Sequence, residues 1–343
     1  MGISPQEGMT EVVHFQRKPR PFGNYSLESY FKSIRELAPA DIRINLKISR
    51  FESRGLWRRI YNVIEAAFSQ KQVNHVTGDV HFLTLLMNRK KTLLTILDCG
   101  RLKELSGIRL KLFKYFWFTL PAKKAAFITV ISLATRDDLL QHIHYDPARI
   151  RVIYVNIPDL YRPSEKPFNE ARPLILQVGT ARNKNLERII PALEGLSCRY
   201  RILGPLTEAH SALLKKHKLE YEHIDRVDTD AEVFDLYKSC DIVSFASTVE
   251  GFGMPILEGN ATGRVVVTGN TSSMPEIAAD AACLVDPWDI ESIRNGFRKV
   301  IADPDYRNQL IRNGFDNVKR FNGNLIAGQY FELYRELARK SLS

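Results

Sequence analysis

The run Asp241-Ile-Val-Ser-Phe-Ala246, followed by Glu250-Gly251-Phe252-Gly253-Met254-Pro255-Ile256-Leu257-Glu258, is the most informative stretch of the chain. The first segment is a short apolar run of the length of a buried strand. Pro255 suits the first position of a helix, where its missing N–H costs nothing. The order is therefore strand, glycine loop, helix. Glu250 falls in the loop, and Glu258 about one turn into the helix. Between them the N–H groups of Gly251, Phe252, Gly253 and Met254 can donate to phosphate or sugar oxygens at the positive end of a helix dipole. Ionised carboxylates only accept hydrogen bonds, so both glutamates suit vicinal hydroxyls. A ligand with both phosphates and hydroxyls fits this set, provided that cations offset the two carboxylates. The plainer alternative is an ordinary strand-turn-helix with a first-turn glutamate favouring the dipole.

The required cations occur in Leu174-Ile-Leu-Gln-Val-Gly-Thr-Ala-Arg-Asn-Lys-Asn185. An apolar strand runs into Gly179-Thr180, and Arg182 and Lys184 follow just before a helix. Cations at a helix N-terminus counter the dipole, so an anion is needed to justify them, and diphosphate is the natural one. A solvated turn is the competing reading.

Around these motifs, apolar strands alternate with amphipathic helices through both halves, which predicts an α/β protein with parallel sheets and crossover helices. Strands are expected near 11–16, 41–48, 72–77, 93–98 and 127–132, with helices near 26–37, 55–69, 80–88 and 109–118. The second half reads as strands near 173–178, 199–203, 220–224, 241–246, 264–268 and 282–285, separated by helices and closed by one near 325–340. Prolines interrupt the pattern between Asn156 and Pro167, a linker. At 343 residues two domains are expected. Their predicted bounds are 1–165 and 166–325, with 326–343 a helix returning to the first. Ligands of such sheets bind beyond the carboxyl ends of the strands.

The net charge of +10 is uneven: residues 1–165 hold 26 Lys+Arg against 15 Asp+Glu, and the rest is close to neutral. That asymmetry predicts an anionic partner for the first half, such as membrane lipid, a lipid-linked phosphate or nucleic acid, unless the cations only solubilise the surface. Arg109-Leu-Lys-Leu-Phe-Lys-Tyr-Phe-Trp-Phe-Thr-Leu-Pro-Ala-Lys-Lys124 interleaves cations and aromatics. It suits an anionic membrane surface or, alternatively, a core helix with solvated lysines. Cys99, Cys198, Cys240 and Cys283 form no Cys-x-x-Cys pair and read as buried free thiols. With no apolar signal region and no run of the ~20 residues needed to span a bilayer, a cytoplasmic protein is expected, peripheral to the inner face of the membrane if the anionic partner is lipid.

Ser244-Phe-Ala-Ser-Thr-Val-Glu-Gly-Phe-Gly-Met-Pro-Ile-Leu-Glu258 resembles the retaining glycosyltransferases of family 4. The likeness continues through Ala261–Asn270, Ser272-Ser-Met-Pro-Glu276, Leu284-Val-Asp-Pro-Trp-Asp289, and Val178-Gly-Thr180 with Lys184-Asn-Leu-Glu187. It spans about residues 170–290. The resemblance implies the GT-B fold: two Rossmann-like domains whose parallel sheets face each other across a cleft, with the acceptor on the first and a nucleotide-diphosphate sugar on the second. Glu250 would hold sugar hydroxyls and Glu258 the ribose. Lys184 and Arg182 would hold the diphosphate, with Gly179, Thr180 and Asn185 beside them. Residues Gly251 to Met254 would line the sugar-phosphate, and Arg226 and Val227 the base. The implied reaction moves a hexose with retention to a glycan or lipid-linked acceptor, with no metal and no cofactor beyond the donor.

Two departures stand out. Many members have arginine where Thr180 follows Gly179, which shifts weight onto Arg182. Members often have a catalytic histidine where this chain has Leu97 before Asp98; His81 is the candidate substitute. Gly23 and Asp98 are the acceptor-side candidates. A nucleotide-sugar-binding protein without transferase activity would explain Leu97 and is one alternative; a GT-B sugar-nucleotide epimerase is a lesser one. No nucleic-acid motif accompanies the positive charge, so a nucleic-acid partner is not expected. Asp228-Thr-Asp230 looks like a metal-binding Asp-x-Asp, but it directly precedes a helix and reads as an N-cap.

Overall fold

Parallel strands cannot be joined by tight hairpins, so the chain returns through a helix or loop after each one. The computed structural model describes residues 8–19 and 26–340. The chain divides into one unit of Met1–Asn156 with Gly323–Ser343 and a second of Ile157–Asn322. The sequence had placed these junctions at 165/166 and 325/326.

The first unit contains β1 (Thr10–Gln16), α1 (Ser26–Glu36), β2 (Ile42–Ile48), α2 (Leu56–Phe68), β3 (Val73–Val76) and β4 (Thr92–Ile96). It continues through α3 (Gly100–Glu104), α4 (Gly107–Lys114), α5 (Leu120–Lys123), β5 (Phe127–Val130), α6 (Leu133–His142) and β6 (Ile150–Val152). The sheet runs β2-β1-β3-β4-β5-β6, parallel throughout. Both faces are covered, because alternate side chains enter different cores. Val12 and Leu93 join α1 and the C-terminal helix, while Val13 and Leu94 join Phe82, Phe118 and Leu139. The expected helix over 80–88 is a 3₁₀ segment, His81–Leu86, and that over 109–118 is α4 passing into a π-helical turn, Tyr115–Thr119.

The second unit comprises β7 (Leu174–Val178), α7 (Leu186–Leu193), β8 (Arg199–Leu203), α8 (Glu208–Lys216), β9 (Tyr221–Ile224), α9 (Asp230–Ser239) and β10 (Ile242–Phe245). Then come α10 (Met254–Thr262), β11 (Val265–Gly269), α11 (Met274–Ala278), β12 (Cys283–Val285), α12 (Ile290–Ala302) and α13 (Pro304–Asn317). Its parallel sheet runs β12-β11-β10-β7-β8-β9. After β7 the chain moves outward to β8, and after β10 it moves the opposite way to β11. Adjacent strands whose connections diverge leave a crevice at their carboxyl ends, the usual ligand position in such sheets. Both sequence motifs lie there.

The last helix, α14 (Gly323–Lys340), belongs to the first unit, where Ile326, Tyr330, Tyr334 and Leu337 are buried. Tyr334 Oη lies 2.8 Å from His14 Nε2 and 2.8 Å from His75 Nδ1, and His75 Nε2 lies 2.7 Å from Thr95 Oγ1. Burial lowers the pKa of His75 to about 3; burial, with His75 and Arg35 nearby, drives His14 down as well. These histidines fold neutral but take a proton when unfolded. Their contribution is therefore complete above the unfolded pKa of ~6.5 and is lost as pH falls toward the folded values, by roughly 1.4 kcal/mol per pH unit for each. Urea midpoints measured between pH 7.5 and 5 are expected to fall steeply, and less steeply in His75→Gln; an unchanged slope in that variant would contradict the assignment.

Candidate active site

Gly179 follows β7 with φ +84°, a left-handed conformation that favours glycine. A Cβ there would stand 3.2 Å from Lys184 Cε, so the lysine stem lies along this backbone. Residues Arg182–Lys184 form a 3₁₀ turn. It turns Lys184 inward and leaves Arg182 exposed. Lys184 Nζ lies 4.6 Å from the centroid of the Phe245 ring and 2.7 Å from Glu250 Oε1. Asn183 Nδ2 donates to the same carboxylate oxygen at 3.1 Å. The lysine and glutamate side chains are 18% and 13% exposed, so the pair is shielded but open on one side.

Glu250 is fixed by its backbone as much as by its carboxylate. Ser272 Oγ donates to the Glu250 carbonyl at 2.6 Å and Ser273 Oγ at 3.0 Å. Ser273 also donates to the Phe252 carbonyl at 2.6 Å. The Ser272–Glu276 motif thus props the loop from beneath. Gly253, at φ +123°, makes the final bend into α10, where a Cβ would meet Ile256 Cδ1 at 3.1 Å. α10 begins at Met254 with Pro255 second, and no side chain caps its N-terminus. Gly251 and Met254 are half-buried, whereas Phe252 and Gly253 are buried.

Glu258 lies one turn into α10. Tyr237 Oη donates to its Oε2 at 2.5 Å, and Tyr161 also hydrogen-bonds the carboxyl group. Burial raises its pKa to about 7 against these hydrogen bonds. Two carboxylates with unlike surroundings therefore share one crevice: Glu250 beside a cation, Glu258 beside phenols.

Other predicted residues have structural duties. Asn185, at φ +66°, donates through Nδ2 to Ala246 O at 2.9 Å and Pro287 O at 2.6 Å, and its Oδ1 accepts from Arg188 at 3.0 Å. Its side chain ties three loops together. Thr180 Oγ1 donates to Pro205 O at 2.6 Å. Beyond β9, Arg226 is exposed and pairs with Asp228 at 3.2 Å, while Val227 is half-buried. Strand spacing puts β9 about 10 Å from β7, a nucleoside's length away. Thr229 caps α9 in a capping box with Glu232, the role expected from its position.

In the first unit, His81 is buried and its Nδ1 donates to Trp117 O at 2.9 Å. Burial outweighs that hydrogen bond and nearby Asp79 and Asp98, lowering the pKa. The ring is thus neutral, with Nε2 as its acceptor. Asp98 is exposed and accepts from Gly100 N at 2.9 Å. Leu97 packs beside Gly78, its Cδ1 3.2 Å from where a Cβ would be. Gly23 lies outside the described residues. The sequence reading does not single out Asn183, Ser272, Ser273, Tyr161 or Tyr237; Asn183 and the serines sit in motifs that signal importance, whereas the tyrosines do not.

Residues 162–317 match the model of the glycosyl transferases group 1. The O-antigen chain mannosyltransferase RfbU of Salmonella typhimurium is 25% identical over 260 residues, 72% of this chain and 71% of that protein. The O-antigen chain mannosyltransferase B of Escherichia coli is 31% identical over 108 residues, 32% of this chain and 28% of that one. Among solved structures, Anabaena HepE in complex with UDP-glucose superposes with a TM-score of 0.76 at 14% identity, covering 96% of this chain and all of that one. Sucrose-phosphate synthase from Thermosynechococcus elongatus does so with a TM-score of 0.75 at 16% identity, covering 96% and 99%. Two parallel six-stranded sheets, the crevice motifs and these likenesses together give the GT-B fold, and the chain is a glycosyltransferase whose residues 162–317 belong to the glycosyl transferases group 1.

Proposed function

We propose that the chain moves a hexose, mannose by analogy with its O-antigen relatives, from a nucleotide-diphosphate sugar to a glycan or lipid-linked acceptor, with retention and without a metal ion. The carrying observation is the Lys184–Glu250 pair at 2.7 Å beside the uncapped N-terminus of α10, in the crevice between β7 and β10. Within the pair each charge neutralises the other. An arriving diphosphate competes for Lys184, and the Glu250 carboxylate is then released to accept from sugar hydroxyls. Exposed Arg182 supplies a second cation, and residues Gly251 to Met254 border the sugar-phosphate. Glu258 accepts from the ribose hydroxyls, and Arg226 and Val227 flank the base. Asn185, Thr180 and Gly179 act by positioning these groups.

In the reaction, the bond from the sugar's anomeric carbon to the phosphate oxygen breaks as the acceptor hydroxyl attacks from the same face. The departing diphosphate takes the acceptor's proton. No side-chain nucleophile is needed, so the rate comes from orientation and from cations facing the charge that grows on the leaving group. His81 and Asp98 are the acceptor-side candidates of the first unit. Work on a lipid-linked acceptor would place the enzyme in the cytoplasm against the inner face of the membrane. Among the described residues no helix is long and apolar enough to cross one.

Calorimetry with UDP-, GDP- and dTDP-sugars tests the donor site. One nucleotide is expected to bind selectively, and Glu258→Ala to weaken it roughly ten- to a hundredfold, as for loss of a charge-assisted hydrogen bond. Ribose hydroxyls need the ionised carboxylate. Affinity should therefore be full well above pH 7 and decline through the pKa of about 7 as the pH falls. Equal affinity in wild type and variant would remove Glu258 from the site.

A further inference from the structure

Helix α2 is amphipathic in an unusual sense. Asn62, Val63 and Ala66 face the core. The larger apolar residues Trp57, Ile60, Tyr61, Ile64 and Phe68 are exposed, Trp57 by 80% and Phe68 by 88%. Their spacing of three, four, seven and eleven residues from Trp57 places all five on one stripe of the helix. Ordinary solubility disfavours such a stripe, and exposed apolar patches of this kind mark contact surfaces. A second stripe lies on α4 and the π-helical turn, where Ile108, Leu112, Tyr115 and Phe116 are exposed. The guanidinium of Arg59 on α2 lies 4.9 Å from the centroid of the Trp117 ring in that turn, so the two segments adjoin.

Charge selects the occupant. Between Arg43 and Lys71 there are seven Lys and Arg against two Glu. Of the two carboxylates, Glu65 pairs with Lys47 at 3.1 Å and Glu52 lies 3.9 Å from Arg54. The exposed parts of the second segment carry Arg109 and Lys111. A second copy of the chain docking through this face would bring like charges together. A bilayer with anionic headgroups meets both needs: it takes the aromatic and aliphatic side chains below the headgroups and the cations beside the phosphates.

We infer that the exposed stripe of α2, continued by α4 and the π-helical turn, docks the first unit on an anionic lipid bilayer, with Trp57 and Phe68 as the inserted side chains. α2 lies outside Arg109–Lys124, the segment whose composition alone suggested a membrane, and it carries the more exposed aromatics. The docking is independent of the donor-site assignment, because none of these residues belongs to that site.

Co-sedimentation of the full chain with phosphatidylcholine vesicles, with and without phosphatidylglycerol, tests it. Wild type should bind the anionic vesicles, more weakly at high salt, and bind pure phosphatidylcholine poorly. Trp57→Ser/Phe68→Ser should lower the partition coefficient by at least about tenfold, given the apolar area withdrawn from water. Arg54→Ser/Arg58→Ser should weaken anionic binding by roughly five- to thirtyfold at low salt, from about 1 kcal/mol per cation. Thermal midpoints and donor binding should remain at wild-type values in both, because these side chains are exposed. Binding that ignores phosphatidylglycerol, or that survives the aromatic substitutions, overturns the inference. So does a wild type that binds no vesicle but sediments as a dimer split by Trp57→Ser, which would assign the face to a second copy.

Discussion

Lys184→Ala is expected to lower kcat by roughly 10²–10³-fold with a much smaller change in donor KM, the usual consequence of removing one preorganised group facing developing charge. The lysine lies 2.7 Å from Glu250 and against the Phe245 ring, so the crevice already holds its ammonium before donor arrives. Growing negative charge on the leaving diphosphate draws more from that cation than the ground state does. Removal therefore affects the transition state more than binding. Among the described residues, the substitution also leaves the Glu250 carboxylate with only Asn183 as side-chain donor, at 3.1 Å. Glu250→Gln separates the effects. It keeps the shape and removes the charge that competes with diphosphate, so sugar recognition weakens while nucleoside diphosphate binding does not. Steady-state kinetics with the selected donor provides the readout. A Lys184→Ala kcat within threefold of wild type would falsify the assigned role of the lysine.

Asp241→Ala is expected to destabilise the second unit by about 3–5 kcal/mol, the range for breaking a buried ion pair from one side. Asp241 accepts from the backbone N–H of Leu174 at 2.8 Å and of Asn169 at 3.2 Å, and pairs with Lys166. Its side chain is 2% exposed. One carboxylate therefore fastens the segment leading into β7 to the start of β10, the two strands that frame the crevice. Deleting it strands two backbone donors and a lysine. The thermal midpoint of this unit should fall by on the order of 10 °C. Asp235→Ala provides the contrast. Its pair with Lys238 has side chains 64% and 42% exposed, and its loss should change stability by less than about 1 kcal/mol. Similar shifts in the two variants would contradict the network's importance.

Much of this molecule is legible in the sequence because its instructions are local. Periodicity placed β1 to β5 and β7 to β12 within one or two residues, since each is a short apolar run bounded by turn residues. β6 went unseen because three residues, Ile150–Val152, are too few for a pattern. Helix α6 was also missed, although Ser132 caps it, accepting from Thr135 N at 3.0 Å; serine before a mixed polar segment is a weak signal without packing. The two glutamates and Lys184 could be read because strand-glycine-helix order fixes where a loop residue must lie.

The partners of those residues could not. Ser272 and Ser273 reach the Glu250 carbonyl across 22 and 23 residues, and Tyr237 reaches Glu258 across 21. The His14–Tyr334 contact joins positions 320 residues apart. No spacing rule covers such distances, because loop closure leaves no trace in periodicity. The sequence by itself determined the α/β alternation, the glycine loops, the family and the charge asymmetry. These rest on local backbone preference and composition. Tertiary structure alone decided that Lys184 turns toward Glu250 while Arg182 turns outward, that Asn185 serves as a tie between loops, and that the large apolar face of α2 is left uncovered. Each depends on which surfaces the sheets have already occupied.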